Sequence, residues 1–342
     1  MKIARFGKAT TFMAATAIAA LSLTGCSTTT AAPEETATTG NTDGIDVYVI
    51  GGMPSDPFWS VVKRGAEAAG AAVEAAGGSV TWLGPQNYDN LGPDAGKLVD
   101  SAIAAGAEAI VIADWVPDAE NPAIIRAVEA GIPVIHYNAG GLEQADATGA
   151  LTYIGSDDYL AGVAGGVAMA EAGSKNILCV NTVPGSANQE ARCKGVKDGA
   201  ESVGSASEQL PLPSSNFGNP TAVANAIKAQ LTKDATIDGV ITIGVQDADS
   251  AAAAIEQAGV VETVALGTFD LSDTQLERIA AGTQLFAIDQ QPWLQGYLAT
   301  SAAWQYAQYG ILPASRPLLT GPSLVTKDNV DVVSAGVAAG VR

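Results

Sequence analysis

The chain has 342 residues, room for one large or two medium domains. It carries 36 acidic against 17 basic residues, a formal net charge of −19, and a chain that acidic repels phosphate backbones, which argues against a nucleic-acid partner. The single histidine and the absence of H-E-x-x-H, C-x-x-C and G-x-S-x-G arrangements argue against a metal centre, a bound cofactor and nucleophile chemistry, so no catalytic residue is expected.

Lys2, Arg5 and Lys8 open the chain, followed by an apolar, Ala-rich run over 11–23. That run has the length of a signal h-region and is too short to span a bilayer stably. It ends in Leu23-Thr24-Gly25-Cys26, which resembles the lipobox of bacterial lipoproteins. The resemblance implies a signal peptide over 1–25, acylation of Cys26, and export with a lipid anchor on the outer face of the cell membrane. The alternative is an ordinary signal peptide with an incidental cysteine. Residues 26–43 are polar, rich in Thr and Glu, and read as a flexible tether. Removing the three basic residues of the signal leaves 14 basic against 36 acidic, a net −22 that favours solubility outside the cell. No later apolar run is uninterrupted over about 18 residues, so no second membrane segment is expected.

From Ile45 onward short β-branched runs alternate with Ala-rich helical segments. Strands are predicted over 46–52, 79–83, 109–113 and 134–137, and a second set over 176–181, 239–243, 263–266 and 284–289. Helices are predicted between them, among others over 58–76, 94–105, 122–130 and 159–172. Gly131-Ile132-Pro133 ends one helix and opens the next strand. Near-continuous apolar strands alternating with helices mean parallel sheets covered on both faces, an α/β fold. Two similar sets mean two Rossmann-like lobes, each with its ligand-facing edge at the carboxyl ends of the strands. The loops leaving those ends are rich in Asp, Asn and Gln, groups that hold hydroxyls directionally. Cys179 and Cys193 are expected to pair as a disulfide, since an exported location permits one. The alternative is two buried thiols.

His136 lies on an apolar strand and reads as a core imidazole. Gly96-Lys97 lacks the hydroxyl residue of a phosphate loop, because Leu98 follows and Leu91 stands where a glycine is needed. Ser55-Asp56-Pro57-Phe58-Trp59 is more informative. Asp56 with Pro57 is an N-cap followed by a first-turn proline. A carboxylate beside aromatic faces at a strand end also suits a sugar, whose hydroxyls need acceptors and whose C–H face needs a ring.

Four segments in order, Asp56-Pro57-Phe58-Trp59, 132–138, Thr268-Phe269-Asp270 and 288–292, make the chain similar to the ribose and glucose/galactose binding proteins of ABC transporters. The likeness runs from Ile45 to Arg342. It implies the type I periplasmic-binding-protein fold, two lobes joined by a three-segment hinge with ligand clamped between. The expected N-terminal lobe is 44–156 with 291–321, and the C-terminal lobe 157–290 with 322–342. The resemblance implies these ligand contacts: Asp56, Phe58 or Trp59, Asn138, Asn188, Arg192, Phe217, Gln246, Asp270 and Gln290. Asp270 and Arg192 are expected to stand close enough to orient each other. Ala139 stands where relatives carry Arg or Lys, and Gln246 and Gln290 are longer than the asparagines often found there; both departures imply a reshaped, less charged pocket. Trp115 either lines the pocket or has a surface or interlobe packing role. The implied function is a monomeric, non-enzymatic solute-binding lipoprotein that delivers a sugar or polyol to an ABC permease. The alternatives are a nucleoside-binding lipoprotein or a ligand-sensing receptor of the same fold.

Overall fold

The computed structural model describes residues 44–342. The signal, the lipidation site Cys26 and the tether up to residue 43 lie outside the described residues. The chain forms two six-stranded sheets. The first contains β1 (Asp46–Ile50), β2 (Ser79–Leu83), β3 (Ala109–Ile112), β4 (Val134–Tyr137), β5 (Tyr153–Ser156) and β11 (Leu318–Gly321), in the order β11-β5-β4-β3-β1-β2. The second contains β6 (Asn176–Asn181), β7 (Ala206–Pro211), β8 (Gly239–Thr242), β9 (Ala265–Phe269), β10 (Phe286–Asp289) and β12 (Ser323–Val325), in the order β12-β10-β9-β8-β6-β7. All pairings are parallel except β10 with β12, where Asp289 meets Ser323. The all-parallel expectation is corrected at that one edge: β12 follows β11 directly through Pro322 as the chain crosses from the first sheet to the second, and it meets β10 running the opposite way. The chain passes between the sheets after β5, after β10 and after β11.

Alternate residues of each strand face opposite layers. On one face of the first sheet Val47, Val49 and Val111 pack with Val62 and Ala66 of α1 (Pro57–Ala75) and with Ala299 and Ala303 of α10 (Pro292–Tyr309). On the other, Ile110 and Ile112 pack with Val99 of α2 (Leu91–Ala104) and Ile124 of α3 (Pro117–Glu129). The second sheet repeats the arrangement. Leu178 and Val240 face Ile227 of α7 (Pro220–Lys233) and Ala251 of α8 (Val245–Ala258). Ile177 and Ile241 face Met169 of α5 (Asp158–Glu171) and Val196 of α6 (Ala187–Ser202). Cys179 on β6 and Cys193 on α6 form a disulfide that staples this helix to its sheet. Two helix pairs approach to backbone contact through glycine. A Cβ on Gly296 of α10 would lie 2.0 Å from the Val62 carbonyl of α1, and one on Gly162 of α5 would lie 2.1 Å from the Arg192 carbonyl of α6.

Several boundaries differ from the sequence reading. Helix α3 begins at Pro117, not residue 122: Pro117 occupies the first turn, and Glu120 Oε1 accepts the N–H groups of Trp115 (3.1 Å) and Val116 (2.8 Å). Strand β9 begins two residues later and ends three residues later than the expected 263–266. Strands β5, β7, β11 and β12 were not anticipated.

A candidate ligand cleft between the lobes

The carboxyl ends of the strands in the two sheets face one another across a cavity of about 500 Å³, counted out to its open mouth. All the expected contact residues line it: Asp56, Phe58, Trp59 and Asn138 from the first lobe, and Asn188, Arg192, Phe217, Gln246, Asp270 and Gln290 from the second. Trp115 lines it as well, and so do Tyr88, Val183, Ser186 and Gln189, which the sequence reading did not single out. Tyr88 follows β2, so the strand-end rule that located the others points to it too.

Asp56 caps α1 through its Oδ1, which accepts the Phe58 N–H at 2.9 Å. Its Oδ2 accepts the Tyr88 hydroxyl at 3.0 Å. The residue is 6% exposed, and burial pushes its carboxyl up against the opposing pull of those hydrogen bonds. Trp59 packs edge-on against Trp115, with ring centroids 5.4 Å apart at 77°, and against Tyr137 at 5.9 Å and 71°. Trp59 is therefore both cavity wall and core.

From the second lobe, α6 projects Asn188 and Arg192 on one face, four residues apart. Arg192 does not pair with Asp270. Its Nε donates to Asp158 Oδ1 at 2.9 Å, with the side chains 4% and 10% exposed. Its terminal nitrogens donate to the Ile243 carbonyl at 3.0 Å and to Gln290 Oε1 at 2.8 Å. The guanidinium lies over the Phe269 ring, 4.7 Å from its centroid. Gln290 then donates to Asp270 Oδ1 at 2.6 Å and so relays between the two charges. Burial pushes Asp270 up to about 7, partly offset by Arg192 and Gln290. Two N–H groups of Arg192, one oxygen of Asp270 and the Gln246 amide have no protein partner among the described residues.

The lobes touch around this cavity. The Ala187 N–H donates to the Trp115 carbonyl at 2.7 Å, and the Tyr88 and Phe217 rings meet edge-on with centroids 4.6 Å apart. Behind the first-lobe wall sits a cluster that pattern reading missed. Asp114 is fully buried and neither of its oxygens has a hydrogen-bond partner; burial pushes it up to about 7. Glu120 is raised well above the usual range by burial and by Asp114. His136 is a core residue whose Nε2 is 3.0 Å from Thr148 Oγ1, and burial lowers it to about 3. Among the described residues no group of three His, Cys, Asp or Glu side chains could hold a metal ion.

Open donors, open carboxylate oxygens and ring faces converging from two sheets form a binding surface, and comparison with known proteins agrees. Residues 47–311 match the periplasmic binding protein domain. The chain belongs to that family. It is 25% identical over 298 residues to a xylose/arabinose-binding protein of Sulfolobus acidocaldarius, covering 83% of this chain and 71% of the relative. Among solved structures it is similar to a carbohydrate transporter protein of Acidothermus cellulolyticus in complex with myo-inositol, at 32% identity and a TM-score of 0.79, covering 88% of this chain and all of that one. A glucose-galactose binding protein of Geobacillus stearothermophilus, at 20% identity and a TM-score of 0.73 over 84% of this chain and 99% of the other, shares the fold. The two-lobe α/β architecture of this chain is the one these solved structures share.

Proposed function

We propose that this chain captures an uncharged sugar or polyol between its lobes and delivers it to the permease of an ABC importer. One observation carries the reading: strand ends of both sheets converge on a single cavity that pairs ring faces with unsatisfied hydroxyl-binding groups. Vicinal hydroxyls present donors and acceptors to Asp270 and Arg192 together, while the aromatic rings cover the C–H face. The myo-inositol complex of a relative at 32% identity and the xylose/arabinose-binding relative support the ligand class. The cavity's contacting rings, Tyr88 with Phe217 and Trp59 with Trp115, cross at 78° and 77°, not in the parallel slot that grips a flat base. That disfavours the nucleoside alternative.

In this reading residues 44–156 with 291–321 move against 157–290 with 322–342. A ligand touching both bodies binds the closed arrangement better and shifts the population towards it. The closed shape is what the permease recognises. The protein acts as a monomer held outside the cell by acylated Cys26. A thermal-shift screen over pentoses, hexoses, polyols, inositols and nucleosides tests the ligand class. A ligand at 100 times its Kd adds about 2.7 kcal/mol of stability, and the account expects a neutral polyhydroxylated compound to give the largest shift. A nucleoside giving it instead refutes the assignment.

A further inference from the structure

Gln295 does not line the cavity, yet it is fully buried in the first turns of α10, where the chain has just re-entered the first lobe. Its Nε2 donates to the Gln290 carbonyl at 3.0 Å, and its Oε1 accepts from Asn138 Nδ2 at 3.1 Å. Asn138 Oδ1 in turn faces Asn188 Nδ2 across the cleft at 3.5 Å. Asn188 Oδ1 accepts the Gln189 backbone N–H at 2.9 Å and the Ser186 hydroxyl at 2.7 Å. Three side-chain amides thus form one line from helix α6, across the cleft, to the hinge.

Side-chain amides can turn over, so their direction follows from what ends the line. Here both ends are fixed. The Gln290 carbonyl can only accept, and the Gln189 N–H can only donate. Gln295 must present its NH₂ to the carbonyl, which leaves its oxygen for Asn138. Asn138 must then give its NH₂ to Gln295 and turn its oxygen toward the cleft. The surrounding geometry holds both anchors. The Gln290 carbonyl also accepts the Thr320 hydroxyl at 2.8 Å. Gln291 sits in the left-handed region, φ 54°, with its N–H on Asp289 Oδ1 at 2.8 Å. Asn138 is left-handed too, φ 60°, and the Tyr153 hydroxyl shares its one hydrogen between the Ser156 carbonyl at 2.7 Å and the Asn138 carbonyl at 3.0 Å.

We propose that Gln295 is a positioning residue: it makes Asn138 an acceptor toward the cleft and completes an amide relay joining the lobes. The inference rests on the solute-binding reading above. It adds that the polarity of the Asn138 contact is set from outside the cavity, and that the relay exists only while Asn188 and Asn138 face each other. The ligand hydroxyl met by Asn138 is accordingly a donor to it.

Gln295→Glu tests the direction of the relay. An ionised Glu can accept from Asn138 but cannot donate to the Gln290 carbonyl; a protonated Glu can do both. Titration calorimetry of the full chain against myo-inositol, D-xylose, L-arabinose and D-allose, at pH 8 and pH 5, uses the parent at each pH as reference. For the tightest of the four, the variant's Kd should lie within threefold of the parent's at pH 5, where the buried acid is protonated, and should rise at least tenfold above it once the pH is high enough to ionise that acid. Gln295→Met, which neither donates nor accepts, should bind at least tenfold more weakly than the parent at both pH values, with the unliganded melting temperature followed alongside. Gln295→Glu binding at least tenfold more weakly than the parent at pH 5, or Gln295→Met binding within twofold of the parent, overturns the positioning role alone. No binding of any of the four by the parent overturns the proposed ligand class, and this role with it.

Discussion

Arg192 does two jobs that one substitution confounds and a pair separates. Its Nε meets a carboxylate, Asp158, that is nearly as buried as it is. Arg192→Met leaves that carboxylate uncompensated, and breaking a buried pair from one side costs roughly 3–5 kcal/mol. At roughly 2–4 °C per kcal/mol for a body of this size, the unliganded protein should melt roughly 6–20 °C lower at pH 8. Burial already pushes Asp158 up to about 6, with Arg192 holding it down, so losing the guanidinium raises it further. A carboxyl whose folded pKa lies above its unfolded value of about 3.9 contributes stability that is present below that value and lost as pH rises through the folded one. The deficit of Arg192→Met should therefore be full at pH 8 and small at pH 4. Arg192→Met with Asp158→Asn removes the stranded charge and should regain most of the loss. Neither variant keeps the two free N–H groups, each worth roughly 1.5–3 kcal/mol to a hydroxyl ligand as a charge-assisted bond, so both should bind at least roughly 100-fold more weakly. Differential scanning calorimetry and titration calorimetry read the two effects separately. A single variant melting within about 2 °C of the parent at pH 8, against the roughly 3–5 kcal/mol reckoned above, refutes the stability argument. A double variant that recovers binding as well as stability refutes the contact.

Asp114→Asn should leave stability nearly unchanged at pH 4 and raise it by roughly 4 kcal/mol at pH 8, because the buried acid, pushed up to about 7, resists folding once the unfolded chain can ionise it; urea unfolding at the two pH values checks this. Gly296→Ala places a methyl 2.0 Å from the Val62 carbonyl and should destabilise the first lobe by roughly 3 kcal/mol or more, read as a lower melting temperature. Cys26→Ser should move the protein from the membrane to the soluble fraction on cell fractionation with ligand binding intact; a variant still wholly membrane-bound contradicts the anchor.

The long parallel strands were legible because their residues are apolar on both faces, and the cleft because Asp56, Asn138, Asp270 and Gln290 each follow such a strand. What escaped the sequence has physical causes. β7 is an edge strand reading Ala206-Ser207-Glu208-Gln209-Leu210-Pro211, half exposed and without an apolar run. β5 ends in Gly155-Ser156, residues that also serve as the passage to the second lobe, so its strand character was hidden. β11 and β12 are short edge strands set by the last return of the chain. The partner of Arg192 was misjudged for a different reason. Strand-end logic brings Asp270 near, but Asp158 heads a helix 34 residues earlier, and only the close packing of α5 on α6 through Gly162 sets it beside Arg192. The direction of the Asn188–Asn138–Gln295 line likewise depends on backbone groups that no residue pattern encodes.

Titration calorimetry of the chain with neutral sugars and polyols, beside nucleosides and a sugar acid, tests the central claim most directly. The account predicts saturable binding of at least one uncharged polyhydroxylated compound at one molecule per chain, lost when Asp270 is changed to Ala, with no heat from the nucleosides. Saturable binding of a nucleoside or of the sugar acid, with none from any neutral sugar or polyol, contradicts it.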